Sequence, residues 1–145
     1  MTARDDQQLA ERVVSSMMEK DAFSHSLGIE VVDVRPRAAT VRLTVRADMV
    51  NGFGVCHGGV PFSLADSALA FASNTHGRVT VSIENTITYP KRIEVGDVLT
   101  ASAEEESATN KLGFFRVTVR RSDEVVALFR GTVYKTNHAH LSDLE

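Results

Sequence analysis

The most informative part of the chain is the stretch from Asn51 to Asp66, which reads NGFGVCHGGVPFSLAD. Its glycines and histidine form a loop that runs directly into an apolar segment, where Pro61 suits the first turn of a helix. Gly58 and Gly59 leave backbone N–H groups accessible at the start of that helix, where the helix dipole favours an anionic oxygen. The stretch therefore predicts a helix N-terminus that can bind a negatively charged oxygen.

The helix that follows this loop has no polar face. Apolar residues occupy most of its positions on every side: Phe62, Leu64, Ala65, Ala68, Leu69, Ala70, Phe71 and Ala72. Such a helix is expected to be buried. Asp66 within it then needs a function or a partner, because an unpaired buried carboxylate is energetically costly. A carboxylate near an oxyanion-binding loop is typical of acyl-transfer and hydrolytic sites.

Length and composition restrict the class of protein. The chain has 145 residues, of which 43% are hydrophobic and 24% charged, and this predicts one globular domain over residues 1–145. A net charge of −3 without a basic stripe argues against binding to nucleic acid. No apolar run has membrane-spanning length, residues 1–6 do not resemble a signal peptide, and the single cysteine suits a reducing compartment. We therefore expect a cytoplasmic protein that binds neither nucleic acid nor membranes.

Outside the buried helix, hydrophobic periodicity predicts an N-terminal amphipathic helix over residues 6–18 and about six strands. The expected strands span residues 29–34, 40–45, 79–89, 98–106, 114–121 and 125–135. Residues 23–27 are expected to be irregular. The tail, residues 137–145, is expected to be flexible because it has little apolar content.

One long helix among antiparallel strands implies an α+β fold in which the sheet wraps around that helix, with the domain core at about residues 20–136. In the third strand, simple alternation predicts that Val81, Ile83 and Ile87 face inward. A helix that is apolar on all sides needs more than one sheet to enclose it. We therefore expect a second copy of the sheet to cover the helix in an oligomer.

With these elements placed, the chain resembles the hotdog-fold acyl-CoA thioesterases, and within them the phenylacetate-degradation branch. The resemblance covers about residues 20–135 and rests on five segments, which are residues 27–29, 51–52, 56–59, 62–68 and 126–131. The His-Gly-Gly segment with an acid seven residues after the second glycine is fairly specific to this branch.

The resemblance implies a homodimer that pairs into a homotetramer, with each active site between protomers. It implies hydrolysis of an acyl-CoA thioester with no metal or redox cofactor. The family's catalytic carboxylate falls on Asp66, its oxyanion-hole N–H on Gly58, and its loop asparagine and histidine on Asn51 and His57. A strand hydroxyl that helps to place water falls on Ser82. Whether the carboxylate acts as a general base or as a nucleophile stays open.

Further residues are candidates for binding the substrate. Basic and aromatic side chains that either hold the phosphates of coenzyme A or form a solvated rim are Tyr89, Lys91, Arg92 and Lys111. Gly59 and Phe62 are candidates beside the reacting group. The resemblance suggests an aryl-acetyl or hydroxylated phenylacetyl group, for which Phe53, Phe62 and Phe71 either line a pocket or form ordinary core. Medium-chain acyl groups stay open.

The candidate site residues also have structural interpretations. Asp66 could pair with a core donor, His57 could hold the loop, Asn51 could be a turn residue, and the glycines could serve turn geometry alone. Adjacent side chains of an extended segment point in opposite directions, so Cys56 and His57 are poorly placed to act as a thiol nucleophile and its base.

Two other functions remain alternatives at this point. One is an acyl-CoA dehydratase or hydratase on the same fold, which needs a histidine in proton transfer and has only His57 as a candidate. The other is a non-catalytic acyl-CoA-binding protein that uses the loop and helix for recognition alone. Release of free coenzyme A distinguishes a thioesterase from both.

Overall fold

The structure, a computed structural model, describes residues 1–144. Its α-helices and strands follow one another as α1 (Ala3–Lys20), α2 (Ala22–Ser26), β1 (Glu30–Arg35), β2 (Ala38–Thr44), α3 (Gly59–Asn74), β3 (Arg78–Thr88), β4 (Val98–Ala108), β5 (Leu112–Arg121) and β6 (Glu124–Ala139). The six strands form one antiparallel sheet in the order β1-β2-β4-β5-β6-β3, which confirms the expected α+β arrangement. Within residues 1–144, no helix is long and apolar enough to span a membrane.

The two N-terminal helices owe their starts to caps. Thr2 Oγ1 accepts a hydrogen bond of 3.1 Å from the Asp5 N–H, and Asp5 accepts one of 3.0 Å from the Thr2 N–H. This capping box explains why α1 starts earlier than expected. The expected irregular segment over residues 23–27 is wrong, because the Asp21 carboxylate accepts a hydrogen bond of 3.0 Å from the Ser24 N–H and so caps α2.

Helix α3 is buried within a single chain. Its fully buried apolar residues are Leu64, Ala65, Ala68, Leu69 and Phe71. Strands β2, β4 and β5 pack on α3, with further contacts from β3 and β6, and α1 and α2 lie against it as well. The expectation that a second sheet must cover α3 is therefore wrong, since the chain's own strands and helices enclose it. Burial of this helix gives no argument for an oligomer.

The expected alternation of β3 is wrong as well. Val81 and Ile83 are 48% and 58% exposed, and of the three residues expected to face inward only Ile87 packs against the core. The cause is a β-bulge, because Ser82 and Glu84 lie opposite consecutive residues of β6 and leave Ile83 as an extra residue. From Glu84 onward the faces of the strand are therefore exchanged relative to simple alternation.

The C-terminal segment is more ordered than its composition indicates. Strand β6 continues to Ala139, where it pairs with the start of β3. His140 Nε2 lies 2.5 Å from Asn74 Oδ1 on the last turn of α3, and Asp143 forms an ion pair of 3.1 Å with Arg12. These contacts replace the flexible tail that was expected from residue 137, although Glu145 lies outside the described residues.

Candidate active site

The loop before α3 is closed by Asn51. Its side-chain Oδ1 accepts hydrogen bonds of 2.9 Å from the Phe53 N–H and 3.3 Å from the Val55 N–H. The Asn51 N–H also donates to the Val55 carbonyl at 2.8 Å. Asn51 is therefore a turn residue, which was one of the two interpretations that the sequence allowed. Within residues 1–144 its Nδ2 group has no hydrogen-bond partner, which leaves two donors available to a ligand or to another subunit.

His57 also holds the loop. Its Nδ1 accepts a hydrogen bond of 2.8 Å from the Gly59 N–H, and its carbonyl accepts one of 3.0 Å from the Val60 N–H. In the neutral ring the proton is therefore assigned to Nε2, on the exposed side of the imidazole. Because the Gly59 N–H already donates to His57, it is not free to donate a hydrogen bond to the substrate, as was expected of Gly59.

Gly58 retains a free donor at the start of α3. None of the described residues accepts a hydrogen bond from its N–H, whereas its carbonyl accepts one of 2.9 Å from Tyr89 Oη. Its φ of −57° is ordinary, so the glycine is not required by its backbone conformation. A Cβ at this position would lie 3.1 Å from Tyr89 Oη and 3.2 Å from its Cζ. The close approach of Tyr89 therefore explains the glycine.

Asp66 lies half-buried on α3 and contacts β3. Its Oδ1 accepts a hydrogen bond of 3.3 Å from Asn85 Nδ2. Burial raises the pKa of the Asp66 carboxyl above its ordinary value; the Asn85 hydrogen bond opposes this shift, and the negative charge of Asp21 adds to it. A carboxyl with a raised pKa is better suited to accept a proton near neutral pH.

Ser82 reaches Asp66 only through Asn85. Ser82 Oγ donates a hydrogen bond of 2.8 Å to Asn85 Oδ1, and it makes none to the Asp66 carboxylate. Asn85 was not among the residues predicted from the sequence. The available signal was weak, because asparagine is merely uncommon within strands.

A cavity of about 330 Å³ opens beside the start of α3. Among the residues that line it are Gly58, Pro61, Tyr89, Lys91 and Arg92. The structure thus brings the free N–H region of Gly58 together with three of the four side chains proposed for coenzyme A. Lys91 and Arg92 are both exposed, Arg92 in an ion pair of 3.3 Å with Glu94, and such cations beside a cavity favour a ligand with negatively charged groups.

The fourth of these side chains, Lys111, lies elsewhere. It belongs to the turn between β4 and β5, where its carbonyl accepts a hydrogen bond of 2.7 Å from the Lys135 N–H. The same turn contacts Arg78 at the start of β3, whereas Tyr89 follows the end of that strand. An 11-residue strand spans roughly 35 Å. Within one chain Lys111 therefore cannot share a binding site with Lys91 and Arg92.

Of the three phenylalanines expected to line a pocket for the acyl group, only Phe62 remains a candidate. Phe71 is fully buried in the core, and Phe53 is 91% exposed at the tip of the loop. Phe62 is partly buried and packs edge-to-face on Phe129, with ring centroids 5.4 Å apart. It lies one turn before Asp66 on α3, where a side chain four residues earlier shares the same face of the helix.

The lone cysteine is not a nucleophile candidate in this structure. Cys56 is 8% exposed, and burial raises the pKa of its thiol to about 11, so the reactive thiolate is scarce at neutral pH. Its Sγ contacts the His57 carbonyl at 3.5 Å and not the imidazole ring. Across residues 1–144, no group of three or more His, Cys, Asp or Glu side chains is arranged to hold a metal ion.

Gly58 and Asp66 are far apart within one chain. Asp66 lies eight positions after Gly58 along α3, which corresponds to about 12 Å of helix axis. A carbonyl oxygen bound to the Gly58 N–H would therefore lie beyond the reach of the Asp66 carboxylate of the same chain.

Known proteins share this fold. The sequence model of the thioesterase superfamily matches residues 53–128. The acyl-coenzyme A thioesterase PaaI of Escherichia coli is 38% identical over 121 residues, which are 83% of this chain and 86% of PaaI. The solved structure of that protein superposes with a TM-score of 0.89 and 34% identity, covering 92% of this chain and 97% of the other.

Two further structures are similar. A variant of the phenylacetic acid degradation protein PaaI from Thermus thermophilus is 37% identical, with a TM-score of 0.78 over 80% of this chain and 100% of the other. A Streptococcus mutans protein bound to acetyl-CoA is 25% identical, with a TM-score of 0.71 over 74% of this chain and 88% of the other. These matches confirm the expected hotdog fold. The chain belongs to the thioesterase superfamily.

Proposed function

We propose that the protein is an acyl-CoA thioesterase, which hydrolyses an acyl-CoA to the free acid and coenzyme A. One observation supports this most directly. A single buried helix has a free N–H at its start, on Gly58, and a half-buried carboxylate with a raised pKa on Asp66. The acyl-coenzyme A thioesterase activity of the Escherichia coli relative and the acetyl-CoA bound to the Streptococcus mutans protein agree with this chemistry.

In the proposed reaction, the Gly58 N–H and the α3 dipole polarise the thioester carbonyl and stabilise the oxyanion that develops on it. Asp66 removes a proton from a water molecule, whose oxygen attacks the carbonyl carbon. The C–S bond then breaks, and the departing coenzyme A thiolate takes the proton from Asp66. We propose the general-base role for Asp66, with which the raised pKa of its carboxyl agrees.

We propose that the active unit is a homodimer, with Gly58 and Asp66 of each site on different protomers. Two observations support it. The spacing of these residues along α3 keeps them about 12 Å apart in one chain. Strand β3 is a long edge strand with exposed Val81 and Ile83, and the unpaired backbone N–H and C=O groups of such an edge can pair with another chain. Further pairing into a homotetramer is part of the same proposal.

The cavity beside Gly58 is the proposed entrance for coenzyme A. Lys91 and Arg92 would hold its phosphates there, and Tyr89 would lie beside its pantetheine arm. Lys111 can contribute only from another protomer, because it lies far from this cavity in its own chain. A bound thioester placed in this way would direct its acyl group toward the Phe62 face of α3.

For the acyl group we propose an aryl-acetyl or hydroxylated phenylacetyl unit. The partly exposed Phe62 ring supports it, as do the relatives from phenylacetic acid degradation. The reaction needs no metal or redox cofactor, since a thioester is already an activated acyl group. We place it in the cytoplasm, a setting that suits an unpaired, buried cysteine.

The test is release of free thiol from a panel of acyl-CoAs that includes phenylacetyl-CoA, hydroxyphenylacetyl-CoA, octanoyl-CoA and crotonyl-CoA. The expected result is thiol release, fastest with an aryl-acetyl thioester, and loss of about a hundredfold or more in the Asp66→Asn variant. Hydration of crotonyl-CoA without thiol release would instead identify a hydratase. Binding of every thioester without turnover would identify an acyl-CoA-binding protein.

A further inference from the structure

A chain of two hydrogen bonds on β3 ends at the Asp66 carboxylate. Ser82 Oγ donates to Asn85 Oδ1 at 2.8 Å, and Asn85 Nδ2 donates to Asp66 Oδ1 at 3.3 Å. We infer that Asn85 is a positioning residue for Asp66, and that Ser82 acts on the reaction by fixing the orientation of the Asn85 amide. This inference rests on the proposed function, because it assigns the two residues to the same carboxylate.

The backbone of β3 is built to make this contact. In a regular strand, residues three apart point to opposite faces, so Ser82 and Asn85 could not meet. The β-bulge at Ile83 adds one residue between them and places both on the inner face of the sheet, opposite Val133 and Gly131 of β6. The irregularity therefore brings Ser82, which is exposed, to the same face as Asn85, whose amide reaches Asp66 on α3.

Gly131 provides the space that Asn85 needs. The two residues lie directly opposite each other on β6 and β3. A Cβ on Gly131 would lie 2.8 Å from Asn85 Oδ1 and 2.5 Å from Leu69 Cδ2. Any side chain at this position would therefore displace the amide from its place between β6 and α3.

The orientation of the amide follows from its two neighbours. A carboxylate only accepts hydrogen bonds, so it requires the NH₂ side of Asn85, and this turns Oδ1 toward Ser82. The Ser82 hydroxyl donates to that oxygen and so anchors the amide in the orientation that the carboxylate selects, since a hydroxyl alone could equally accept from the NH₂ group. Asn85 thus favours the ionised form of Asp66, whereas burial and Asp21, at the start of α2, favour the protonated form.

The direct test is the pH dependence of turnover in an Asn85→Leu variant, which keeps the size of the side chain and removes the donor. Asp66 should stay protonated to higher pH, so turnover on the acidic limb should fall roughly tenfold, with a smaller loss at alkaline pH. The matched control is Asn137→Leu, the same change at an exposed position of β6, which should leave the profile unchanged. An Asn85→Leu profile with the wild-type midpoint would overturn the inference.

A double-mutant cycle tests the role of Ser82. Ser82→Ala should move the acidic limb in the same direction as Asn85→Leu but by less, and Ser82→Thr, which keeps the hydroxyl, should restore it. In the Asn85→Leu background, Ser82→Ala should have no further effect. A further loss of turnover there would show that Ser82 acts on water or substrate independently of Asn85.

A measurement without turnover separates this inference from the proposed function. The carboxyl ¹³C resonance of Asp66, assigned by its loss in Asp66→Asn, can be titrated in the wild type and in Asn85→Leu. A midpoint that moves to higher pH in Asn85→Leu supports the positioning role even if no acyl-CoA is cleaved. An unchanged midpoint contradicts it, even if Asp66 proves essential for hydrolysis.

Discussion

Tyr89 Oη donates a hydrogen bond of 2.9 Å to the carbonyl oxygen of Gly58, the residue whose N–H is the free donor at the start of α3. Burial, followed in size by the nearby Cys56, raises the pKa of the Tyr89 phenol, so the hydroxyl remains a donor at neutral pH. Tyr89 therefore fixes the orientation of Gly58 from the cavity side, where the thioester is proposed to enter.

Removal of this hydroxyl in Tyr89→Phe should leave the fold intact and lower kcat several-fold, because a typical hydrogen bond contributes about 1 kcal/mol. Steady-state kinetics with the best acyl-CoA of the panel would measure the effect. Tyr134→Phe, which removes an exposed hydroxyl on β6, is the matched control and should behave as the wild type. If Tyr89→Phe and Tyr134→Phe had the same kinetics, the Tyr89 hydroxyl would have no role in turnover.

A methyl group at Gly58 tests the close approach of the same ring. A Cβ there would lie 3.1 Å from Tyr89 Oη, so Gly58→Ala should push the ring away and lower turnover more than it weakens the binding of free coenzyme A. The bulkier Gly58→Val should lose nearly all turnover. The control is Gly52→Ala, where a Cβ meets no atom within 4 Å. Full turnover in Gly58→Val would place the oxyanion donor elsewhere.

The raised pKa of Asp66 also predicts an effect on stability. When the pKa of a carboxyl is higher in the folded state than in the unfolded state, the group stabilises the fold at pH values below its unfolded-state pKa, about 3.9. This stabilisation is lost as the pH rises through the folded-state pKa. Asp66→Asn should therefore have a larger free energy of unfolding than the wild type at pH 7. Denaturant unfolding at several pH values should show this difference shrinking toward pH 3. An Asp66→Asn variant less stable than the wild type at pH 7 would contradict the conclusion that burial of the ionised Asp66 carboxylate destabilises the fold.

These sites show what the sequence could and could not predict. Asp66 and Gly58 were identifiable because a carboxylate on an apolar helix and a glycine pair at its start are local patterns. Asn85 was not identifiable, because its role depends on a β-bulge that exchanges the faces of β3. The distance of Lys111 from Lys91 and Arg92 within one chain was not predictable, since distance between elements is not encoded in spacing along the chain.

Two of the fold expectations that proved wrong, the cover of α3 and the flexible tail, also depended on contacts between distant elements. The α3 pattern correctly indicated burial, but it could not show that β2–β6, α1 and α2 of one chain suffice to enclose the helix. The C-terminal segment was expected to be flexible from its composition, whereas single contacts, such as His140 with Asn74, hold it on the domain. Tertiary contacts of individual polar side chains leave no periodic signal in a sequence.

The proposed dimer places the exposed edge of β3 at the interface. Ile83→Lys puts a charge on this edge and should convert the dimer into a folded monomer without thioesterase activity, because α3 is already enclosed by its own chain. Light scattering coupled to size exclusion would measure the mass. The control is Val32→Lys, at a similarly exposed position on β1, the other edge of the sheet. A fully active Ile83→Lys monomer would exclude a shared site.

The most direct test of hydrolysis at a shared site is complementation between two inactive variants. Asp66→Asn and Gly58→Val chains carrying different tags are refolded together, and the mixed dimer is purified through both tags. If each site combines Gly58 of one protomer with Asp66 of the other, one of the two sites in the mixed dimer is intact. The mixed dimer should then have about half of the wild-type thioesterase activity per dimer, with both parent homodimers inactive. A mixed dimer as inactive as its parents would contradict it.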